Sequence, residues 1–433
     1  MDARTVRLDV RTAPIVLDCD VVVCGGGSAG LAAAIAAARA GARVALIERY
    51  GFFGGNAVAA YVGTICGLYV RDGDEHRDLY DGFPREWAER LKTTGSAFGP
   101  VPYKETAVLL YVPWAYKRLA DEMVRAEPNI TPLLHATVTE VVRSGRIIDA
   151  VVVGSKRGPL AITAAVFVDA SGDADLAFHA GCATETGGPG QRQFPSMQFL
   201  MENVDVQAAY AAGLDKLNEL LSTIGQTPEW NLSRSGGAVL PTFRHGEAIG
   251  AMTRVSVEGR SPDMTDPFEA AVAEMNGRDE AEKAARFLIA HMPGFANAFI
   301  ADTPPQLGIR ETRRGVGDYV LTGEDVLSAA PFDDAVAAGA WPQEFHVAGK
   351  GTEYVWLEPG ASYQVPYRAL LARDADNLLL AGRCISATHE ALASSRVIAP
   401  SMAQGEAAGR AAALAARNGT ALRNLDARDI ANA

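Results

Sequence analysis

Cysteine is scarce in this chain, and no two cysteines stand in a C-x-x-C spacing. Cys19, Cys24, Cys66, Cys182 and Cys384 are the whole set among 433 residues. An odd number of scattered thiols argues against a disulfide framework or a cysteine-ligated zinc site and suits a reducing compartment. Positive charge is also short: 40 Lys and Arg stand against 52 Asp and Glu, for a net charge of -12. That balance argues against a nucleic-acid surface or an anionic membrane surface, although a few buried arginines can reverse the field inside a pocket. Long apolar runs are missing. The longest, Leu31 to Ala38, is mostly alanine and falls far short of the roughly 20 residues a bilayer span needs. The first fifteen residues, MDARTVRLDVRTAPI, are charged, so no signal peptide is expected. There is no internal repeat, low-complexity tail or long linker. These absences predict a cytoplasmic protein with no membrane or nucleic-acid partner, and the length predicts two or three domains.

What is present is ordinary globular composition, 48% hydrophobic, with a recognisable start. Residues 19–24 (CDVVVC) read as a buried parallel strand. A glycine turn follows at 25–30 (GGGSAG). LAAAIAAARAG then reads as a helix ending near Gly41, and ARVALIER at 42–49 as a second buried strand. Strand, glycine turn, helix and strand within about thirty residues make a βαβ unit. The segment 71–129 is rich in charge and aromatics, and its second part, 101–126, reads as a helix. Residues 131–171 alternate strands with turns at Ser144-Gly145 and Arg157-Gly158. Residues 190–355 mix helical patterns, such as 267–292, with polar loops. Strand-like segments return at 363–371 and 377–382, before a last helix at about 400–417.

Gly25-x-Gly27-x-x-Gly30 has the spacing of the dinucleotide fingerprint. The first glycine permits a tight turn, the second lets backbone approach a pyrophosphate, and the third lets helix pack on strand. The phosphates then face the N-terminal N–H groups and positive dipole end of the helix, beside Ser28 and Ala29. Glu48 ends the second strand about twenty residues on, where a carboxylate accepts hydrogen bonds from a ribose; read alone, it is equally a solvated strand-end group. Gly54-Gly55 likewise reads as a simple turn when taken alone.

Glu48-Arg49, followed by Gly54-Gly55-Asn56, resembles the two-dinucleotide-binding-domain flavoproteins, in which the glycine pair turns the chain back across the FAD pyrophosphate. In that resemblance Thr137-Val138 hold the adenine through backbone, and Ala170-Ser171-Gly172-Asp173 pass the adenosine end. Gly382 and Arg383 precede a helix, carrying Gly405 and Gly409, that aims its N-terminus at the flavin ring. More narrowly, the motifs at 51–56 (GFFGGN), 63–69 (GTICGLY), 308–314 (GIRETRR), 317–322 (GDYVLT) and 381–391 (AGRCISATHEA) resemble a bacterial family called FAD-dependent oxidoreductase, distantly similar to fumarate reductase and succinate dehydrogenase flavoproteins. The resemblance runs from about residue 17 to about 417. It implies FAD and an α/β, Rossmann-like FAD-binding domain of glutathione-reductase type. That domain would be assembled from 17–70, 130–190 and 360–420, with 71–129 and 191–359 as an inserted mixed α+β substrate-side cap. Residues 1–16 and 421–433 would be terminal extensions.

Flavin exchanges a hydride at N5, so the protein positions a substrate and manages protons and charge. The catalytic candidates are Arg310, Arg383, Arg396 and His389: guanidinium groups clamp a carboxylate or stabilise enolate-like charge, and histidine serves as acid or base. Arg310 reads equally as a structural ion-pair partner, and His389 as a hydrogen-bonded buried histidine. Arg313 and Arg314 read as solvated, or as partners of Asp318 and Glu311. His76, His135, His179, His245, His291 and His346 read as core or surface residues. Cys66 reads as a buried cysteine, with a redox partner or covalent attachment point as the sharper alternatives. Tyr61, Tyr69 and Tyr103 read as packing aromatics that could also line the pocket. No histidine lies in 49–70, so a histidine–flavin bond is not implied. No metal is expected. The expected function is hydride transfer between FAD and a small polar organic molecule, with oxidation of that substrate favoured. Fumarate-reductase-like reduction of an activated C=C bond and a substrate-free electron-relay subunit are the alternatives. The electron acceptor would be oxygen, a quinone or a redox protein, and a homo-oligomer is compatible with all of this.

Overall fold

The computed structural model describes residues 12–72, 75–187, 191–242, 244–347 and 351–433. Most of the predicted N-terminal extension, residues 1–11, lies outside the described residues. The chain opens with β1 (Ile15–Cys24), α1 (Ser28–Arg39) and β2 (Val44–Ile47). Ile15 and Val16 are therefore already strand, not extension. β3 (Ile130–Leu133), β4 (Thr137–Ser144), β5 (Ile147–Ser155), β6 (Gly158–Asp169) and β7 (Leu378–Leu380) complete one sheet. Its order is β3-β2-β1-β6-β5-β4, with β7 alongside the end of β6. The pairs joining β3, β2, β1, β6 and β7 are parallel, whereas β4, β5 and β6 form an antiparallel meander. The meander turns where the sequence predicts, at Gly145 and Gly158.

The alternation of β1 explains why the sheet is covered on both sides. Val21 and Val23 pack into one core with α1 and the long helix α2 (Ile398–Asn418). Val22 and Cys24 face a second core with Val138, Val151, Val153 and the short helix Asp175–His179. Mixed α/β architecture around a parallel sheet thus agrees with the expected fold class.

One expectation needs correction. The segment 101–126 is not one helix. Ala97–Tyr103 and Thr106–Tyr111 form an antiparallel hairpin, and helix begins only at Pro113. Thr106–Tyr111 is buried on both faces, and a short, wholly apolar run carries no periodicity to separate strand from helix. Pro113, placed at the first helical turn where its missing N–H costs nothing, marks the real start. The segment 421–433, expected as a terminal extension, packs on the body: Leu422 and Ile430 are buried against the core shared by α1 and α2, and the Leu422 carbonyl accepts from Tyr367 Oη at 3.1 Å.

The segment 71–129, expected wholly on the substrate side, divides. Its helices Phe83–Thr93 and Pro113–Ala126 bury Trp87, Tyr116 and Leu119 in the core of α1 and α2. A third core lies elsewhere, between a four-stranded antiparallel sheet (Ala238–Pro241, Ala248–Ala251, Phe199–Glu202, Phe299–Asp302) and the helices Val206–Ser222 and Pro267–His291. Met197, Phe199, Leu221, Phe287 and Leu307 are its buried centre. Among the described residues no helix is long and apolar enough to cross a membrane.

Candidate active site

A groove runs along the C-terminal ends of β1, β2 and β6. Its lining includes Gly25, Gly27, Ser28, Ala29, Glu48, Arg49, Gly55, Asn56, Val138, Ala170, Ser171, Gly172, Gly382 and Arg383. All of these were predicted from the sequence, so four chain segments far apart in sequence meet on one surface. Gly25 takes φ +98°, a left-handed value that favours glycine. Gly27 and Gly55 face each other, and a methyl on Gly55 would stand 2.9 Å from the Gly27 Cα. No side chain caps the N-terminus of α1, so its first N–H groups are left for an anion. Glu48 is buried; its two carboxylate oxygens accept the Gly26 N–H at 2.8 Å and the Tyr50 N–H at 2.9 Å. Burial raises its pKa despite these bonds. The donor set, the bare Cα atoms and the terminal carboxylate fit a dinucleotide.

Four of the predicted cofactor-binding residues are not among those lining the groove: Gly30, Gly54, Asp173 and Gly405. For Gly30 the reason is close packing, since a methyl there would stand 1.7 Å from the Gly25 carbonyl oxygen. Gly54 donates its N–H to the Gly26 carbonyl at 2.8 Å and so fixes the glycine turn from behind. Gly405 is set back by packing: its Cα meets the backbone of Ala29, and Gly409 meets Ala33 in the same way. The groove is reached by Ser401 and Ile398, about one and two turns earlier in α2. Asp173 is buried behind Arg383. It receives Arg383 Nη2 at 2.8 Å, Thr312 Oγ1 at 2.7 Å and Arg49 Nη1 at 3.4 Å, and so sets the direction of two arginines that do line the groove.

Beside the groove lies a cavity of about 660 Å³, and the two share Asn56, Arg383, Arg396 and Ile398. One part of the wall is polar: Tyr103, Arg234, Arg310, Glu344, His346 and Tyr354. Apolar residues line it as well, among them Val62, Leu110, Leu217, Val239, Leu240 and Trp341, the last stacked on Tyr103. Arg310 donates through Nη1 to the Phe194 carbonyl at 2.8 Å and Ser196 Oγ at 2.9 Å. Arg396 Nη2 donates to Gln193 Oε1 at 3.1 Å and stands 4.0 Å from Glu344 Oε2. Glu344 accepts from Trp341 Nε1 at 3.1 Å and Tyr354 Oη at 3.2 Å, and lies 3.2 Å from His346 Nε2. Burial opposes its ionisation, but His346 and the arginines Arg396 and Arg310 outweigh burial and hold Glu344 below the carboxylate range. Burial and then Arg310 push His346 well below its ordinary value, while Glu344 acts in the opposite direction.

His389 is not among the residues lining the groove or the cavity. Its Nδ1 sits 2.8 Å from Glu311 Oε2, and its ring packs on Phe345. Glu311 also receives Arg314 Nη1 at 2.5 Å and the Gln193 N–H at 3.0 Å. Arg314 thus has the partner the sequence suggested. Arg313 does not pair with Asp318; it meets Asp175 at 2.5 Å, while Asp318 pairs with Arg423. Tyr103 lines the cavity and shares a 2.8 Å hydrogen bond with Tyr354, whereas Tyr61 bonds Asp302 at 2.9 Å and Tyr69 is buried in the main core. Cys66 lines the cavity, with Thr64 Oγ1 3.6 Å away. Among the described residues no cluster of three or more His, Cys, Asp or Glu forms a metal site.

Sequence reasoning passed over Arg234, Glu344, Tyr354 and Gln306 and set His346 aside. A signal existed for two of them. Gln343–His346 is a strand, and its two-residue period puts Glu344 and His346 on one face. Arg234 sits in an irregular stretch without periodicity, and only the tertiary fold brings it to the cavity.

A sequence profile described as "FAD dependent oxidoreductase" matches residues 20–433. The chain is also 34% identical over 167 residues to 6-methylpretetramide 4-monooxygenase from Streptomyces rimosus. That match covers 35% of this chain and 38% of the monooxygenase, so the chain spans little more than a third of that relative's length. Among solved structures, a geranylgeranyl bacteriochlorophyll reductase-like protein from Thermoplasma acidophilum aligns with 93% of this chain and 80% of its own, at 13% identity and a TM-score of 0.48. p-Nitrophenol 4-monooxygenase from Pseudomonas putida aligns with 95% of this chain and 84% of its own, at 12% identity and a TM-score of 0.47.

Proposed function

The chain belongs to the FAD-dependent oxidoreductase family, and we propose that it transfers a hydride between FAD held in the groove at α1 and a small polar organic substrate held in the adjoining cavity. The observation that carries this reading is the wall common to the two spaces, made by Asn56, Arg383, Arg396 and Ile398. A ring placed past Gly55 toward Ser401 has the cavity as its neighbour.

In this reading Gly25, Gly27 and Gly55 admit the pyrophosphate against the N–H groups of Ser28 and Ala29. Glu48 receives the ribose, Val138 and Ala170 to Gly172 border the adenosine end, and Gly382, Ser401 and Ile398 border the ring. Bound there, FAD supplies two-electron chemistry at N5. Asp173 holds Arg383 toward that space as a positioning residue. Arg310 and Arg396 bind and orient the substrate. The Glu344–Tyr354–Tyr103 chain is placed to hold or move a proton at the cavity wall, a role closer to the substrate than His389 can fill from its position on Glu311. The FAD-binding body would follow the glutathione-reductase plan, with segments of 17–70, 130–190 and 360–420, and the layer within 191–359 as its inserted substrate-side cap.

Substrate oxidation is the favoured direction; reduction of an activated C=C bond, as in the fumarate reductases the sequence resembles, is the same step reversed. A cavity of substrate size beside the groove speaks against an electron relay with no substrate of its own. Monooxygenation is the second reading, favoured by the stretch shared with the S. rimosus monooxygenase. Anaerobic mixing separates them: bleaching of the flavin by a substrate alone supports hydride transfer. Reduction only by a nicotinamide, followed by incorporation of labelled oxygen into product, supports monooxygenation. A protein that takes up no flavin refutes both.

A further inference from the structure

Resting on the reading of the cavity as the substrate site, we infer that the substrate is an organic acid with an apolar body, its carboxylate received by Arg310, Arg234 and Arg396 and its body lying against the apolar residues of the same cavity.

The argument begins with charge. Among the described residues lining the cavity Lys104, Arg234, Arg310, Arg383 and Arg396 are cationic, and Glu344 is the one carboxylate. Arg383 is neutralised by Asp173 at 2.8 Å. Lys104 lies over the Tyr354 ring at 4.3 Å. Three guanidinium groups remain for Glu344, and it binds none of them closely. The near approach is 4.0 Å to Arg396, while its oxygens are occupied by Trp341, Tyr354 and His346. Arg254, 2% exposed, shares Thr352 Oγ1 with Arg234 and has Glu280 as its own neighbouring carboxylate, so it leaves the surplus of the three in place. An arginine cannot give up its proton in a protein, so the surplus calls for an anion.

The hydrogen bonds agree. Arg310 donates only through Nη1, to Phe194 and Ser196, and its Nε and Nη2 meet no acceptor among the described residues. Among the described residues Arg234 reaches the Ala251 carbonyl at 3.4 Å and Thr352 Oγ1 at 3.0 Å and no other acceptor. The Nε groups of Arg234, Arg254 and Arg396 are buried without a partner among the described residues. Buried donors left unmet are costly, and a planar two-oxygen anion satisfies a guanidinium edge in one step. Burial, with repulsion from Arg254 and Arg396, presses Arg310 well below the ordinary arginine value, which is the electrostatic form of the same deficit. The apolar residues Leu217, Val239 and Leu240, which line the same cavity, reward a hydrocarbon body.

Calorimetric titration of the FAD-loaded protein with hexanoate, hexanol and hexylamine tests this. Hexanoate should bind at least about tenfold more tightly than either uncharged or cationic analogue. Arg310→Met and Arg234→Met should each weaken hexanoate by about tenfold with FAD content unchanged. Arg234 carries the test if Arg310→Met does not fold. Equal binding of hexanol and hexanoate, or unaltered hexanoate affinity in the folded variants, overturns the inference. Failure of the wild-type chain to take up FAD strikes the proposed function instead, and the same three-ligand comparison on the flavin-free chain still decides the anion site.

Discussion

A methyl group on Gly405 would stand 2.0 Å from the carbonyl oxygen of Ala29, so α1 and α2 touch backbone to backbone just behind the groove. Gly409 repeats the contact one turn later at 2.1 Å from the Ala33 carbonyl. This contact seats the N-terminus of α2, with Ser401 and Ile398, against the N-terminus of α1, and so couples the packing of two helices to the shape of the cofactor site.

Gly405→Ala should therefore act on stability first. The clash is with backbone rather than a movable side chain, and overpacking of this kind costs about 3 kcal/mol. Urea denaturation should show that loss, and flavin retention should fall only as far as the fold does. A Gly405→Ala protein as stable as wild type would remove the claim that the helices are in backbone contact.

Gly27→Ala should do the reverse. Its φ of -74° is open to alanine, and the nearest neighbour of an added methyl is the Gly55 Cα at 3.7 Å, an ordinary contact. Stability should stay within about 1 kcal/mol of wild type. The methyl would instead stand where the pyrophosphate approaches, so the purified protein should lose its flavin absorbance. A folded Gly27→Ala protein holding FAD at the wild-type level would show that the groove has been misassigned.

The contrast between these glycines indicates how far the sequence could be read. Gly25, Gly27 and Glu48 were legible because a short βαβ unit has local rules: strand, turn, helix and acidic strand end follow within one stretch of chain. Gly405 was legible as important but not as to why, because only the crossing of α1 and α2 shows that it faces Ala29. The hairpin of 97–111 was misread because Thr106–Tyr111 buries both faces and so has no alternation. The polar wall of the cavity was least legible. Arg234, Glu344 and Arg396 come from three separate regions, and no spacing in one dimension records that they meet.

Cys66 should prove chemically quiet despite its place in the cavity wall. Burial pushes its thiol up to about 12, leaving almost no thiolate at neutral pH, and the thiolate is the nucleophile. Iodoacetamide at pH 7, followed by mass spectrometry, should leave Cys66 unmodified in the native protein and alkylate it after denaturation. Rapid native alkylation would restore a redox or attachment role for this residue.

Asp175 should make stability depend on pH in the unusual direction for a carboxylate. Burial, then repulsion from Asp173 and Asp169, raises it from 3.8 to about 6, and the Arg313 guanidinium at 2.5 Å does not fully offset them. The folded protein thus binds this proton more tightly than the unfolded chain. The contribution is fully present below about pH 4, shrinks as pH rises, and is gone above about pH 6; the shift corresponds to at most about 3 kcal/mol. Asp175→Asn keeps an acceptor for Arg313 but has no proton to lose. Its stability relative to wild type, measured by urea denaturation, should accordingly rise between pH 4 and pH 6 and then level off. A difference that is flat across that interval, or that falls, would mean that Arg313 compensates the buried charge in full and that Asp175 is ionised throughout.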